Sequence, residues 1–237
     1  MIGVIGGMGP LATADFMQKV IAATSAEHDE QHVPVLISSD PRIPRRPAAL
    51  LDGAQSPLPR LVEIRDRLIV AGATALVMPC NTAHYWHREL AAGTSVPFPS
   101  IVEVTCDDVV SKTRDHDRVG LVATQATLVT GLFQDALDRR HRTTVSPSEE
   151  ITRQCMLPAI ALVKAGKVSQ ASELMRETVE HLLQMGATSV ILACTEAPIA
   201  MSFFPELVDQ YCIDSTEALA VATVQLWEQQ KSLDASV

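Results

Sequence analysis

Two twelve-residue stretches, GATALVMPCNTA at 72–83 and GATSVILACTEA at 186–197, repeat each other across the chain. At this offset of 114 residues, Gly, Ala, Thr, Cys and the closing Ala are identical, and the positions between mostly exchange apolar for apolar. A second echo pairs GVIGGMGPLAT at 3–13 with GLVATQATLVT at 120–130, an offset of 117. A chain that repeats at about half its length folds as two similar halves.

Within each half, short apolar runs alternate with helical periodicity, the rhythm of α/β units. The patterns predict strands at 2–5, 33–38, 75–78 and 100–102, then at 119–122, 142–145, 190–193 and 211–213. Helices are expected at 12–26, 58–71, 83–92, 104–113, 129–139, 151–165, 170–185 and 216–230. Gly72 and Gly186 end the helices that precede the two cysteine-bearing strands. The fold class that follows is α/β: two pseudo-symmetric lobes with mainly parallel sheets, and the active site in the cleft between them.

Composition narrows the function classes. An apolar fraction of 47% with only 4% aromatics means a large aliphatic core. A net charge of −9 argues against a nucleic-acid or anionic-membrane surface. No run of about 18 apolar residues is present to span a bilayer. The N-terminal apolar run lacks a basic start and reaches Asp15 too soon for a signal peptide. Five cysteines, an odd number without CxxC pairs, do not form a disulfide framework, so a cytoplasmic protein is expected.

The repeat puts Cys80 and Cys194 at equivalent points, the carboxyl end of a strand just before a helix. Asn81 or Thr82 is expected to cap the first helix and Thr195 the second, with Pro198 in its first turn. A thiol facing a helix N-terminus is expected to have its pKa lowered from about 8.5 toward neutrality. Opposed thiols suit exchange of the proton on a stereocentre: one thiolate removes it and the opposite thiol delivers another. The plainer alternative, a small buried hydrophobe at a strand end, is preferred for Cys106, Cys155 and Cys212, which lack this context. A zinc site from Cys80, His84 and His87 has three ligands, no evident fourth, and no counterpart in the other half, so no metal is expected. His84 is read as a polar neighbour of the cleft and His87 as a surface residue. A disulfide switch between the two cysteines lacks CxxC-type poise.

With MPCNTAH at 78–84, ACTEAP at 193–198 and GGMGPLAT at 6–13, the chain resembles the aspartate/glutamate racemase family, most closely its aspartate racemase branch. SSDPRIPRR (38–46), GLVATQAT (120–127), LPAIALVKAGK (157–167) and IDST (213–216) carry the resemblance through nearly the whole sequence. It implies a two-lobed fold in which the segment from about 214 packs back on the first lobe, giving lobes 1–98 plus 214–237 and 99–213. It implies racemisation of aspartate, or glutamate, without pyridoxal phosphate, metal or other cofactor, by proton transfer between Cys80 and Cys194. It also implies a homodimer.

Carried over residue by residue, the resemblance implies that Met8 and the glycine loop offer backbone N–H groups. Asn81, Thr82 and Thr195 would hold the α-amino and α-carboxylate groups, with Thr124 adding a hydroxyl at the lobe interface. Arg46 and Lys164 would clamp the second carboxylate. Glu196 stands where glutamate racemases usually have histidine, and would position Cys194 or contact the ammonium group. Two departures are visible: Arg45 replaces the acid of the usual Ile-Pro-Asp-Arg, and Ala193 replaces the usual glycine before the second cysteine.

Four alternatives are weighed against this reading. A same-fold isomerase or decarboxylase of small dicarboxylic acids, or a broad-specificity racemase, would use similar residues. Gly7, Gly9 and Ala12 fit a dinucleotide-binding turn, but its acidic partner is due about 20 residues on. The second predicted strand instead runs to Ser38-Ser39-Asp40, about 30 residues on, and into a basic proline-rich loop, which disfavours a nucleotide-binding oxidoreductase. Pro10 starts a helix behind the loop, whose N–H groups suit a carboxylate. A non-catalytic amino-acid sensor has no need of both cysteines.

Overall fold

Each repeated stretch becomes the same object: a helix, a left-handed glycine, a buried strand and then a cysteine. In the computed structural model, which describes residues 1–234, Gly72 and Gly186 have φ of +96° and +89°. Their N–H groups bond Ile69 and Leu183 carbonyls, and Ala73 and Ala187 reach back to Leu68 and Leu182. Both are αL helix endings that turn the chain directly into the strand.

The first half contains β1 (Ile2–Gly6), α1 (Pro10–Ala23), β2 (Val35–Ser39), α2 (Arg46–Leu51), α3 (Leu58–Val70) and β3 (Ala75–Val77). A 3-10 turn (Thr82–Trp86) then runs into α4 (His87–Ala92), and α5 (Ile101–Lys112) crosses to the second half. There follow β4 (Arg118–Val122), α6 (Gln125–Val129), α7 (Leu132–Asp138), β5 (Thr143–Val145), α8 (Glu149–Ile151), a π-helical segment (Thr152–Met156) and α9 (Leu157–Lys164). The chain continues through α10 (Val168–Gln184), β6 (Ser189–Leu192), α11 (Ala197–Met201), α12 (Pro205–Tyr211), β7 (Cys212–Asp214) and α13 (Ser215–Asp234).

Two sheets result, with orders β2-β1-β3 and β5-β4-β6-β7, and every pairing is parallel. The repeat is visible in the topology. β1 and β4 are flanked by β2 and β5 on one side and by β3 and β6 on the other. Their registers correspond, Gly3 pairing with Leu36 and Leu76, and Gly120 with Val145 and Val190. One aliphatic cluster draws on both sheets, from Ile2 and Val4 to Val119, Leu121 and Ile191. Two others fill the outer side of each sheet. After β7, α13 leaves the second sheet and packs against α1 and α5.

Four expectations need correction. Residues 100–102 form no strand: Ser100 is extended and α5 begins at Ile101. The Ile-Val-Glu-Val run is β-like in composition, yet Ile101, Val102, Thr105, Cys106 and Val109 are buried at helical spacing. The helix expected at 129–139 breaks at Gly131, whose φ of +71° ends one turn and starts another. The helix at 151–165 contains the π-helical segment, next to Pro158, which has no N–H to donate to the α ladder. The helix at 83–92 begins as the 3-10 turn.

Candidate active site

β3 and β6 end within a few residues of each cysteine, so each sulfur sits where its strand delivers it. On the first side the Cys80 N–H donates to the Met78 carbonyl at 2.8 Å and the chain tightens into the 3-10 turn. His84 locks this turn from beneath. Its Nε2 accepts from the Ile101 N–H at 3.0 Å, so its proton is on Nδ1, which donates to the Cys80 carbonyl at 2.9 Å. Burial, with His87 beside it, pushes the His84 pKa down to about 3, so the ring stays neutral.

His87 is half-buried rather than a free surface residue: it stacks on His84 and donates from Nε2 to the Phe98 carbonyl. With both His84 nitrogens engaged by backbone, Cys80, His84 and His87 do not make a zinc site. Among the described residues no group of three or more His, Cys, Asp or Glu is placed to hold a metal ion.

The second side is ionic. The Cys194 thiol donates to Glu196 Oε2 at 3.0 Å, and the Thr195 hydroxyl approaches the same oxygen at 3.4 Å. The other carboxylate oxygen lies 3.8 Å from Lys164 Nζ at the end of α9. Burial first, and the Glu196 charge second, hold the Cys194 pKa well above its ordinary value, although Lys164 pulls the other way. The expectation of a thiol acidified by a helix N-terminus is therefore overturned at Cys194. The helix behind it is only five residues long, and desolvation beside a carboxylate outweighs its partial charge. Asn81, Thr82 and Thr195 also do not cap by side chain as expected: Glu196 occupies the N-cap of α11, and the 3-10 turn has no side-chain cap.

The remaining predicted residues converge on these two turns. Thr82 and Thr124 hydroxyls are 3.0 Å apart, and both contact Thr127, joining the two halves. Thr124 also caps α6 by accepting the Thr127 N–H. The Arg46 guanidinium donates to the carbonyls of Ile43, Pro44 and Met8, while its buried Nε has no partner. Within the glycine loop, the Gly7 N–H is occupied by the Thr13 hydroxyl at 2.9 Å, leaving that group out of any carboxylate cradle.

Met8, Arg46, Asn81, Thr82, Thr124, Lys164, Thr195 and Glu196 line one cavity with Cys80 and Cys194. Sequence reasoning missed Pro47, which completes its wall, and Thr127 behind it. It quoted Ser215 within IDST without a role; that hydroxyl accepts from Asn81 Nδ2. The cavity measures ≈ 20 Å3, room for about one water. It shares Met8, Arg46, Pro47, Lys164 and Glu196 with an outer pocket of ≈ 270 Å3 that also exposes Arg45.

Comparison with known proteins agrees with this architecture. The Asp/Glu/Hydantoin racemase family matches residues 5–223. The chain is similar to Picrophilus torridus aspartate racemase, with a TM-score of 0.86 and 30% identity, covering 96% of this chain and 94% of that one. It is 25% identical over 240 residues to the broad specificity amino-acid racemase RacX of Bacillus subtilis, covering 96% of this chain and 98% of the relative. A glutamate racemase of Pseudomonas aeruginosa is 30% identical over 169 residues, 68% of this chain and 60% of its own length. The chain belongs to the Asp/Glu/hydantoin racemase family and is an isomerase of the amino-acid racemase kind.

Proposed function

We propose that this protein interconverts L- and D-aspartate by moving the Cα proton between Cys80 and Cys194. The observation that carries the reading is the convergence of both repeat cysteines on one cavity walled by Arg46 and Lys164. Two acid/base groups on opposite sides of a stereocentre let each take the role the other leaves. Cys80 and Cys194 suffice as the proton-transfer pair, and the family resemblance supports catalysis without pyridoxal phosphate. The same resemblance supports a cytoplasmic homodimer and the two lobes 1–98 plus 214–237 and 99–213.

The Cys194 thiol is the resting proton donor, because burial and Glu196 disfavour its thiolate. When it must act as base, its proton passes along the existing contact to Glu196 Oε2, giving a thiolate and a carboxylic acid. The thiolate takes the Cα proton from one face, and the Cys80 thiol gives its own proton to the other. The negative charge that develops on the substrate is met by N–H and hydroxyl donors of the two turns in a water-poor cavity. Arg45, Arg46 and Lys164 together favour an anionic substrate side chain over a basic one. Because the inner cavity holds only a water-sized body, aspartate enters by parting the wall shared with the outer pocket.

Incubating the purified, metal-free protein with L-aspartate in D2O tests the reading. Optical rotation should decay while D-aspartate carrying Cα deuterium accumulates. Absence of Cα deuteration with aspartate, glutamate and other amino acids overturns it. Faster turnover of neutral or basic amino acids than of aspartate replaces it with the broad-specificity reading.

A further inference from the structure

Asn81 immediately follows Cys80, is 2% exposed and lines the inner cavity. Its Nδ2 donates at 3.0 Å to the hydroxyl of Ser215, a residue 134 positions away and fully buried at the start of α13. That hydroxyl in turn donates at 2.8 Å to the carbonyl of Leu192, the last residue of the strand leading to Cys194. A single side chain thus joins the segment after one cysteine to the segment before the other.

Counting protons settles which way the Asn81 amide faces. The Leu192 carbonyl can only accept, so the one hydroxyl proton of Ser215 points to it. Ser215 Oγ is then available to Asn81 only as an acceptor, and an acceptor needs the NH2 end of the amide. Turning the amide over would set two oxygens against each other, or take the Ser215 proton away from the Leu192 carbonyl. Either costs a buried hydrogen bond. The Asn81 Oδ1 that remains is buried and has no partner among the described residues. Asn81 therefore brings a buried, unpartnered acceptor to the wall of a cavity that Glu196 also lines.

We propose that Ser215 is a positioning residue that holds Asn81 Oδ1 toward the cavity as the acceptor for the substrate ammonium group. This rests on the amino-acid racemase reading and assigns a role to a residue that never touches substrate. An ammonium is three donors and no acceptor, so an amide released to turn its NH2 toward the cavity would set donor against donor. A dicarboxylate without the amine has no use for Oδ1, which makes the role separable from general packing.

The test measures KM and kcat for aspartate, together with inhibition by succinate, in wild type, Ser215→Ala and Ser215→Cys. Succinate keeps both carboxylates and lacks the amine. The expected result for Ser215→Ala is a KM for both enantiomers raised about tenfold or more, with succinate inhibition changed less than about twofold. Ser215→Cys, which keeps the bulk but offers a weak acceptor, should fall between the two. An active wild type whose Ser215→Ala variant keeps its KM overturns the proposal alone. So does equal weakening of aspartate and succinate, which marks a displaced site rather than a turned amide. A wild type that racemises no amino acid overturns the functional reading, and this proposal with it.

Discussion

Cys80 and Cys194 close equivalent strands, yet the first turn is held by neutral groups and the second by ions. Beneath Cys80 are a neutral imidazole and an amide, each tied to backbone or hydroxyl partners from distant segments. Beside Cys194 are a buried carboxylate and the Lys164 ammonium. The repeat therefore preserves where a sulfur is delivered and not the medium it works in. In the proposed two-base route, two like thiols would meet two faces of a substrate that are mirror-related only at Cα, so unlike surroundings would let each be tuned to its own face.

The strongest way to break the comparison is to remove one sulfur at a time. Cys80→Ala and Cys194→Ala should each lower racemisation by about 10³-fold or more, since the two-base route needs a proton-transfer group on each face of Cα. A residual rate above about a tenth of wild type in either variant would show that the two turns are not a pair. Racemisation is followed by polarimetry on both enantiomers.

Glu196→Gln sharpens the ionic side. Removing the carboxylate takes away both the charge and the acceptor that hold the Cys194 proton, so the thiol should titrate at lower pH than in wild type, read by thiolate absorbance against Cys194→Ala. Turnover should nevertheless fall about 10²-fold, because the group that accepts the proton is gone. A thiol titration that does not move, or moves upward, contradicts the assigned role of Glu196.

The neutral side is tested by stability. His84→Asn loses one or both buried backbone bonds, costing about 2–4 kcal/mol in chemical denaturation. The pH dependence has a definite sign. His84 takes up its proton near 6.5 when unfolded and only near 3 when folded, so the unfolded chain binds more protons between these values. Stability therefore falls as pH drops through that window, and the variant should lose this part of the slope. A variant with the full wild-type slope would place the protonation elsewhere.

Much of this was legible in local sequence. The twelve-residue repeat carries glycine, strand and cysteine together, so two parallel sheets and both sulfurs follow from short-range patterns. The wall residues Arg46, Lys164 and Glu196 were readable from their motifs. What escaped was long-range or electrostatic. Nothing beside Ile101 in sequence says that its apolar run packs as a helix. The Ser215–Asn81 bond spans the chain, and the roles of Ser215 and His84 exist only once distant segments meet. The acidity of Cys194 was misjudged because a helix start is visible in sequence, whereas the burial that outweighs it is a property of the packed site.

The central claim, one base on each face, is tested most directly by deuterium wash-in from D2O on L- and D-aspartate separately, in Cys80→Ala and in Cys194→Ala. Each variant keeps one thiol, able to remove and return the proton of one enantiomer without inversion. The prediction is complementary: one variant exchanges Cα hydrogen only in L-aspartate, the other only in D-aspartate. Exchange of both enantiomers by one variant, or of the same enantiomer by both, would contradict it.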